Sequence, residues 1–289
     1  MVSLKNLKHH KHHIPQSLKE ALDVLSKNDC YIMAGGTDLM VIKHRRSGLL
    51  PNFDKDVLYI SNLKELDYID VDKNGDLHIG AATKYKTIEK DERVPLLIRE
   101  IVKEIASPNI RNMATMAGNI ANASPAGDSL VGLYLLDAQL VLVSKSKTRT
   151  MPISEFIYGV RRIRRNPDEL IKEIIIPHHD FTKTYWKKVG SRAAESISKI
   201  TFAGAYTLDG DVVKELRLAY GSVSVTVVRK PEIEKKYENI KVDELKGKIL
   251  AILEDYSEFV TPITDQRSTK DYRFKVAMNI TKKFIEEIE

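Results

Sequence analysis

The stretch "YIMAGGTDLM", residues 31–40, joins a strand-like apolar run to a second apolar run through two glycines, a threonine and an aspartate. Glycine has no Cβ, so Gly35 and Gly36 leave consecutive backbone N–H groups uncovered. The pattern fits either a plain strand-to-helix turn or a turn whose amides contact an anionic ligand. It matches neither the G-x-G-x-x-G dinucleotide fingerprint nor the P-loop. On its own, the stretch leaves both structures open.

A second segment, "ASPNIRNMATMAGNIANASPAGDS" (residues 106–129), is rich in small, amide-bearing and hydroxylic residues from position 114 onwards. A buried strand or helix would not concentrate so many small polar residues, and a solvent loop of this length is uncommon. Gly118 and Gly127 permit close approach of the backbone. The composition indicates a surface for an extended, hydroxyl-rich, phosphate-bearing ligand, and two such segments in one chain suggest a dinucleotide.

The composition predicts a globular protein of two or three subdomains, with 289 residues of which 43% are hydrophobic. The net charge is +6, from 46 basic and 40 acidic residues that are interspersed. Because no nucleic-acid motif accompanies this charge, nucleic acid is not an expected partner. The single cysteine, Cys30, excludes an intrachain disulfide and a multi-cysteine metal cluster within the chain. Redox chemistry would therefore need an organic cofactor or a partner.

The sequence shows no pattern typical of a membrane span or a secretory signal. No apolar run approaches the roughly 20 residues that span a bilayer. The basic N-terminus is not followed by the apolar core of a secretory signal. We therefore expect a cytoplasmic protein without membrane insertion.

Hydrophobic periodicity predicts an α+β chain with mixed sheets, in two N-terminal subdomains and one C-terminal domain. The helices are predicted at 17–27, 94–106 and 127–138, and the N-terminal strands near 30–34, 56–61, 75–82, 138–145 and 169–177. After residue 178, three strands ("TYWKKVG", "ITFAGAYTL", "VKELRLAYG") precede a helical region that begins at "VVRKPEIEKKY".

The order of several motifs resembles the flavin-binding, medium subunit of the molybdenum hydroxylases, such as xanthine dehydrogenase and carbon monoxide dehydrogenase. "AGGTDL" is followed by "IRNMATMAGNIANASPAGD", and "PQSLKEAL", "GDLHIGAATKYKTIE" and "NPDELIKEIIIP" resemble other parts of the flavin domain. "WKKVGSRAAESISKIT", "RLAYGSV" and "PITDQRSTKDYR" resemble its C-terminal domain. The resemblance covers essentially the whole chain.

The resemblance implies a two-subdomain FAD-binding fold like that of vanillyl-alcohol oxidase and p-cresol methylhydroxylase (the PCMH fold). The first subdomain would span residues 1–56 and the second 57–177. Residues 178–289 would form a C-terminal α+β flavoprotein domain with a three-stranded sheet and helices.

The family also implies which residues hold the cofactor. The backbone amides of Ala34, Gly35, Gly36, Thr37 and Asp38 would cradle the FAD pyrophosphate, and Thr115, Gly118 and Asn119 would form a second wall. Asp128 would bind a sugar hydroxyl, Ile105 would pack against the adenine, and Ile171 would pack near the isoalloxazine ring. Lys188 matches a lysine near the polar edge of the flavin, where a cation stabilises negative charge on the ring.

One departure concerns Ala117, because the family usually has two glycines before the asparagine. A methyl group fits there if the φ angle of Ala117 is negative, whereas a positive φ would weaken FAD binding. Some relatives also carry an inserted cysteine cluster for an additional iron–sulfur centre, which a chain with Cys30 alone cannot form.

The implied role is electron transfer within a heteromeric enzyme. A large partner would carry the molybdenum–pterin centre, and a small partner with two [2Fe–2S] clusters would pass electrons to the FAD of this chain, which delivers them to NAD⁺ or another acceptor. Two alternatives stay open: a stand-alone flavin-dependent oxidase, and a non-catalytic scaffold subunit with weak flavin binding.

The sequence contains no catalytic constellation of its own, neither H-E-x-x-H nor G-x-S-x-G. The run "HHKHH" (residues 9–13) is interpreted as an exposed edge rather than a metal cluster. Cys30, at the start of a strand, is interpreted as a packing residue. No metal ligands and no catalytic residues are therefore predicted within the chain.

Overall fold

A computed structural model describes residues 10–44, 51–192 and 195–289 of the chain. The first layer is a parallel three-stranded sheet with the strand order β1-β3-β2. Ser17 caps the first helix by accepting a hydrogen bond from the Glu20 N–H, as the spacing of these residues predicts. The elements are β1 His12–His13, α1 Leu18–Leu25, β2 Cys30–Met33, α2 Leu39–Ile42 and β3 Asp56–Tyr59.

The second unit is an antiparallel five-stranded sheet, ordered β4-β5-β10-β6-β7, with helices packed on it. Its strands are β4 Ile69–Val71, β5 Leu77–Gly80, β6 Gln139–Val143, β7 Thr148–Pro152 and β10 Leu170–Ile176, and a separate two-stranded ribbon joins β8 Ile157–Gly159 to β9 Arg162–Ile163. Its helices are α3 Tyr85–Lys90, α4 Leu96–Lys103, α5 Pro108–Arg111, α6 Met116–Asn122, α7 Asp128–Leu135 and α8 Ile153–Phe156. Every residue of α7 is buried, so this helix lies in the centre of the molecule.

The third unit consists of an antiparallel sheet and the C-terminal helices. Three long strands form the body of the sheet, as predicted, and two strands of two residues each extend it. The elements are β11 Lys183–Val189, β12 Ile200–Asp209, β13 Val212–Gly221, β14 Val228–Arg229, α9 Pro231–Glu234, β15 Ile240–Lys241, α10 Val242–Gly247, α11 Ile249–Ser257 and α12 Lys270–Glu286.

The C-terminal sheet packs directly on the central helix α7. The Arg217 Nη1 donates to the Leu135 carbonyl at 2.7 Å, and the Arg229 Nη1 donates to the Tyr134 carbonyl at 2.9 Å. Both arginines therefore donate to carbonyls at the C-terminal end of α7, where positive charge complements the helix dipole. These contacts fix the third unit against the second.

The predicted α+β chain with mixed sheets is confirmed. One prediction was wrong: "VVRKPEIEKKY" does not begin as a helix, because Val228–Arg229 is strand β14 and Pro231 is the first residue of α9. Proline suits the first turn of a helix and cannot lie in its interior. The strand Asp56–Tyr59 belongs to the first sheet, so we propose that the first subdomain extends through residue 60 rather than 56.

Among the described residues, no helix is both long and apolar enough to cross a membrane.

Candidate cofactor site

A cavity of about 630 Å³ lies where the three units meet. Its volume falls in the range of roughly 300–1,000 Å³ that is typical of small-molecule and cofactor sites. All twelve residues that the sequence singled out line this one cavity: Ala34, Gly35, Gly36, Thr37, Asp38, Ile105, Thr115, Gly118, Asn119, Asp128, Ile171 and Lys188. The structure thus brings together residues that are up to 154 positions apart in the sequence (188 − 34).

The glycine turn follows strand β2 directly. Gly36 has a φ angle of +71°, in the left-handed region that residues with a side chain rarely adopt. Gly35 packs against the backbone of the second segment, where a Cβ built on Gly35 would lie 2.9 Å from the Ala114 Cα. The first glycine therefore permits a close approach of two segments, and the second permits a change in chain direction.

The backbone N–H groups of the glycine turn are free hydrogen-bond donors within the described part of the chain. In the described part of the chain, the N–H groups of Gly35, Gly36, Thr37 and Asp38 donate to no protein acceptor. Four successive N–H groups without an acceptor form a surface of hydrogen-bond donors. An anion bound there accepts from these donors through its negatively charged oxygens. The turn therefore has the chemistry that a pyrophosphate group requires.

The second segment forms the opposite wall through α6. Thr115 caps this helix, because its Oγ1 accepts from the Gly118 N–H at 3.0 Å. The amide of Gly118 is therefore already used, and what Gly118 offers a ligand is the space left by its missing side chain. The Asn122 Nδ2 donates to the Asp38 Oδ2 at 3.1 Å, which links the two walls directly.

A hydrogen-bond chain orients Asn119. The Ser129 Oγ donates to the Asn119 Oδ1 at 2.9 Å, and the buried Tyr85 hydroxyl lies 2.9 Å from the same Ser129 Oγ. With its oxygen held in this way, the Asn119 amide nitrogen is left to donate elsewhere.

Ala117 adopts a conformation that the methyl group tolerates. It lies inside α6, is absent from the residues with positive φ, and is 5% exposed among the apolar residues of the second unit. Its presence in place of glycine therefore introduces no backbone strain. Ala117 therefore gives no support to the alternative of a scaffold subunit with weak flavin binding.

Asp128 and Lys188 form a buried ion pair inside the cavity. The Lys188 Nζ lies 2.8 Å from the Asp128 Oδ2 and also donates to the Glu104 carbonyl at 2.7 Å. The Ser198 hydroxyl donates to the other Asp128 oxygen. Burial raises the pKa of Asp128, and the Lys188 ammonium and the Ser198 hydroxyl oppose that rise. Sequence reasoning treats the two residues as separate contacts, whereas the structure makes them one unit.

The two predicted apolar contacts lie on different elements. Ile171 is in strand β10 and is 5% exposed. Ile105 follows helix α4 and is partly buried against the same core. Both side chains contribute to the apolar part of the cavity lining.

Some lining residues were missed by sequence reasoning. The segment Glu195–Ile197 reaches the cavity from the C-terminal unit, and Ile163 and Arg165 reach it from the basic run "RRIRR". Arg165 is half-buried and donates to the Glu169 carbonyl at 2.6 Å, whereas Arg162, in strand β9, and Arg164 are exposed. No local pattern could identify these residues, because their place in the cavity depends on tertiary packing.

Comparison with known proteins agrees with this geometry. Residues 8–179 match the family model "FAD binding domain in molybdopterin dehydrogenase", and residues 185–288 match "CO dehydrogenase flavoprotein C-terminal domain". The chain belongs to the family of FAD-binding medium subunits of the molybdenum hydroxylases. It is therefore an oxidoreductase subunit with an FAD-binding domain, as the resemblance implied.

Relatives of similar length support this assignment. The chain is 34% identical to the glyceraldehyde dehydrogenase medium chain of Sulfolobus acidocaldarius, over 94% of this chain and 96% of the relative. It is 30% identical to the xanthine dehydrogenase FAD-binding subunit of Escherichia coli, over 96% and 94% of the two chains.

The fold also matches a solved structure of carbon monoxide dehydrogenase from Hydrogenophaga pseudoflava, with a TM-score of 0.84 and 24% identity over 95% of both chains. At this identity the match shows the fold alone.

Proposed function

We propose that this chain holds FAD in the cavity between its three units and relays electrons within a heteromeric molybdenum hydroxylase. A large partner carries the molybdenum–pterin centre, and a small partner subunit with [2Fe–2S] clusters supplies electrons to the FAD of this chain. NAD⁺ or another acceptor receives the electrons from the FAD. The observation that carries the proposal is the convergence of both small-residue segments on one cavity.

The amides of residues 34–38 are proposed to hold the pyrophosphate. Four of them lack an acceptor among the described residues, and the adjoining wall carries Thr115, Gly118 and Asn119. Because α2 has only four residues, its dipole contributes little, and the direct N–H contacts supply most of the interaction with the anion.

The ion pair between Asp128 and Lys188 is proposed to lie beside the polar groups of the cofactor. Asp128 offers an oxygen to a sugar hydroxyl, and Lys188 places positive charge near the polar edge of the flavin. Bound FAD supplies the electron-transfer chemistry, and the protein supplies orientation and charge. Ile105 and Ile171 are proposed to cover the adenine and the isoalloxazine ring.

The proposed role within a heteromeric enzyme is supported by relatives that are themselves named as subunits. The two relatives above are named as a medium chain and an FAD-binding subunit, and they align with this chain along almost their whole length. The sequence also contains no catalytic constellation apart from the cofactor site. We infer that the substrate pocket lies in another chain.

The first test is flavin loading of the isolated chain. We expect the purified protein to bind added FAD with one flavin per chain and a bound-flavin absorption spectrum. A chain that stays colourless with excess FAD would support the scaffold alternative, and turnover of a substrate by the isolated chain would support the stand-alone oxidase.

The second test identifies the electron acceptor. If NAD⁺ accepts the electrons, anaerobic addition of NADH to the FAD-loaded chain will bleach the flavin absorption, because electron transfer is reversible. An intact flavin spectrum with NADH would direct the search to another acceptor.

A third test concerns the partners. Co-expression with the neighbouring reading frames should yield a complex whose iron content reports the [2Fe–2S] subunit.

A further inference from the structure

Three potential metal ligands share one face of the first sheet. In the parallel register, Cys30 pairs with Asp56, and His13 pairs with Leu58. Side chains alternate along a strand, so Asp56 and Leu58 point to the same face, and their partners point there too. The register therefore places one histidine, one cysteine and one aspartate together from three adjacent strands.

The ligand atoms of this group are close to one another. One atom each from His13, Cys30 and Asp56 lies within 4.8 Å of the other two. The His13 Nε2 and the Asp56 Oδ2 are 3.0 Å apart. Cys30 is 3% exposed, and its thiol has no hydrogen-bond partner among the described residues.

We propose that His13, Cys30 and Asp56 bind a zinc ion. Imidazole nitrogen, thiolate sulfur and carboxylate oxygen are the three ligand types that zinc takes in proteins. Zinc–ligand distances of about 2.0–2.3 Å in a tetrahedral site place ligand atoms roughly 3.3–3.8 Å apart, so the present cluster needs only small side-chain shifts. Water completes the fourth position.

Binding requires no redox step. The Cys30 thiol loses its proton to solvent as the sulfur–zinc bond forms, and the Asp56 carboxylate binds through an oxygen. The His13 ring binds through a nitrogen that carries no proton, so binding through Nε2 places the ring proton on Nδ1. Zinc keeps its charge throughout. The site thus differs from an iron–sulfur centre, which would need further thiolates that this chain lacks.

The position of the site gives it a structural role. The three strands of this sheet have two, four and four residues, so few backbone hydrogen bonds join them. Cys30 begins the strand that ends at the glycine turn of the cofactor cavity. A metal that joins the three strands would hold this turn in place before the cofactor binds.

His12 provides a matched control for His13. It lies next to His13 but on the opposite face, where its Nδ1 is 2.9 Å from the Tyr59 hydroxyl. Of the two remaining histidines of the run, His10 is described and His9 lies outside the described residues. Binding by the histidine run as a whole would depend on His12 and His13 alike, whereas the proposed site depends on His13 alone.

The test uses the full chain, stripped of metal with a chelator and free of added FAD. Equilibrium dialysis against zinc followed by metal analysis should give one zinc per chain, with a rise in Tm of about 5 °C at saturation. His13→Ala and Asp56→Asn should each weaken zinc binding at least about tenfold, and His12→Ala should leave it within twofold.

Cobalt(II) provides a second measurement that reports the sulfur ligand. The wild-type chain should show a thiolate-to-cobalt charge-transfer band, and Cys30→Ala should lose it while circular dichroism shows an intact fold. Absence of stoichiometric zinc binding in the wild-type chain would overturn the proposal. Equal losses in His12→Ala and His13→Ala, or a cobalt spectrum unchanged by Cys30→Ala, would also overturn it. None of these measurements depends on FAD, so they are independent of the proposed electron-transfer function.

Discussion

Gly35 lies so close to the Met113 carbonyl that a Cβ built on Gly35 would overlap the Met113 oxygen. Gly35 follows strand β2, and Met113 lies between helices α5 and α6, so neighbouring elements fix the backbone on both sides of this contact. The contact has no flexible side chain that could move away. It therefore sets the separation of the two walls of the cofactor cavity.

Replacing this glycine should separate the two walls. We expect Gly35→Ala to destabilise the chain by about 1–3 kcal/mol through overpacking and to lower FAD affinity by roughly tenfold or more. Gly247→Ala is the matched control, because a Cβ at Gly247 would meet no atom of the described residues within 4 Å. Urea unfolding and FAD titration measure the two effects. Unchanged FAD affinity in Gly35→Ala would show that the two walls do not grip one ligand.

Substitution of Ala117, unlike that of Gly35, should leave FAD affinity nearly unchanged. Because Ala117 is helical and buried, we expect Ala117→Gly to cost about 1 kcal/mol of stability and to change the Kd for FAD by less than about twofold. Isothermal titration with FAD and thermal unfolding measure these two quantities. A large gain in FAD affinity would instead favour the scaffold subunit with weak flavin binding.

The buried ion pair should behave as a coupled unit. Lys188→Met leaves the Asp128 carboxylate without its partner, and breaking a buried pair in this way costs about 3–5 kcal/mol. The double variant Lys188→Met/Asp128→Asn should recover part of that loss, with an interaction energy of about 1–3 kcal/mol. The neighbouring Lys187 is exposed, so Lys187→Met should change stability by less than about 0.5 kcal/mol. Strict additivity of the two single variants in urea unfolding would contradict the coupling.

Local sequence signals identified both walls of the cavity, because glycine pairs, small-residue segments and a helix cap leave patterns within a few positions. The same signals gave the strands and the central helix, whose apolar runs match their burial. They could not show that Lys188 contacts Asp128, since that contact depends on how the C-terminal sheet packs on α7. The group of His13, Cys30 and Asp56 was missed for a similar reason. Its members meet only through the register of three parallel strands.

Arg217 and His179 make the stability of the chain depend on pH. His179 stacks on Phe181 with a centroid distance of 5.0 Å, and its Nε2 lies 3.1 Å from the Leu136 carbonyl and 3.4 Å from the Arg217 Nη1. Burial, followed by the positive charge of Arg217, lowers the pKa of His179 below its ordinary value. The folded state therefore binds fewer protons than the unfolded state just below about pH 6.5.

The sign of the effect follows from that difference in bound protons. The contribution of His179 to stability is present above its unfolded pKa and is lost as the pH falls towards the folded pKa. We expect this residue to make the unfolding free energy decrease as the pH falls from roughly pH 7 to pH 5. His179→Asn should reduce that slope, even though it also removes the ring contact with Phe181. His178→Asn, at an exposed neighbouring position, should retain the slope. Urea unfolding at several pH values measures all three chains, and equal slopes for both variants would refute the assignment to His179.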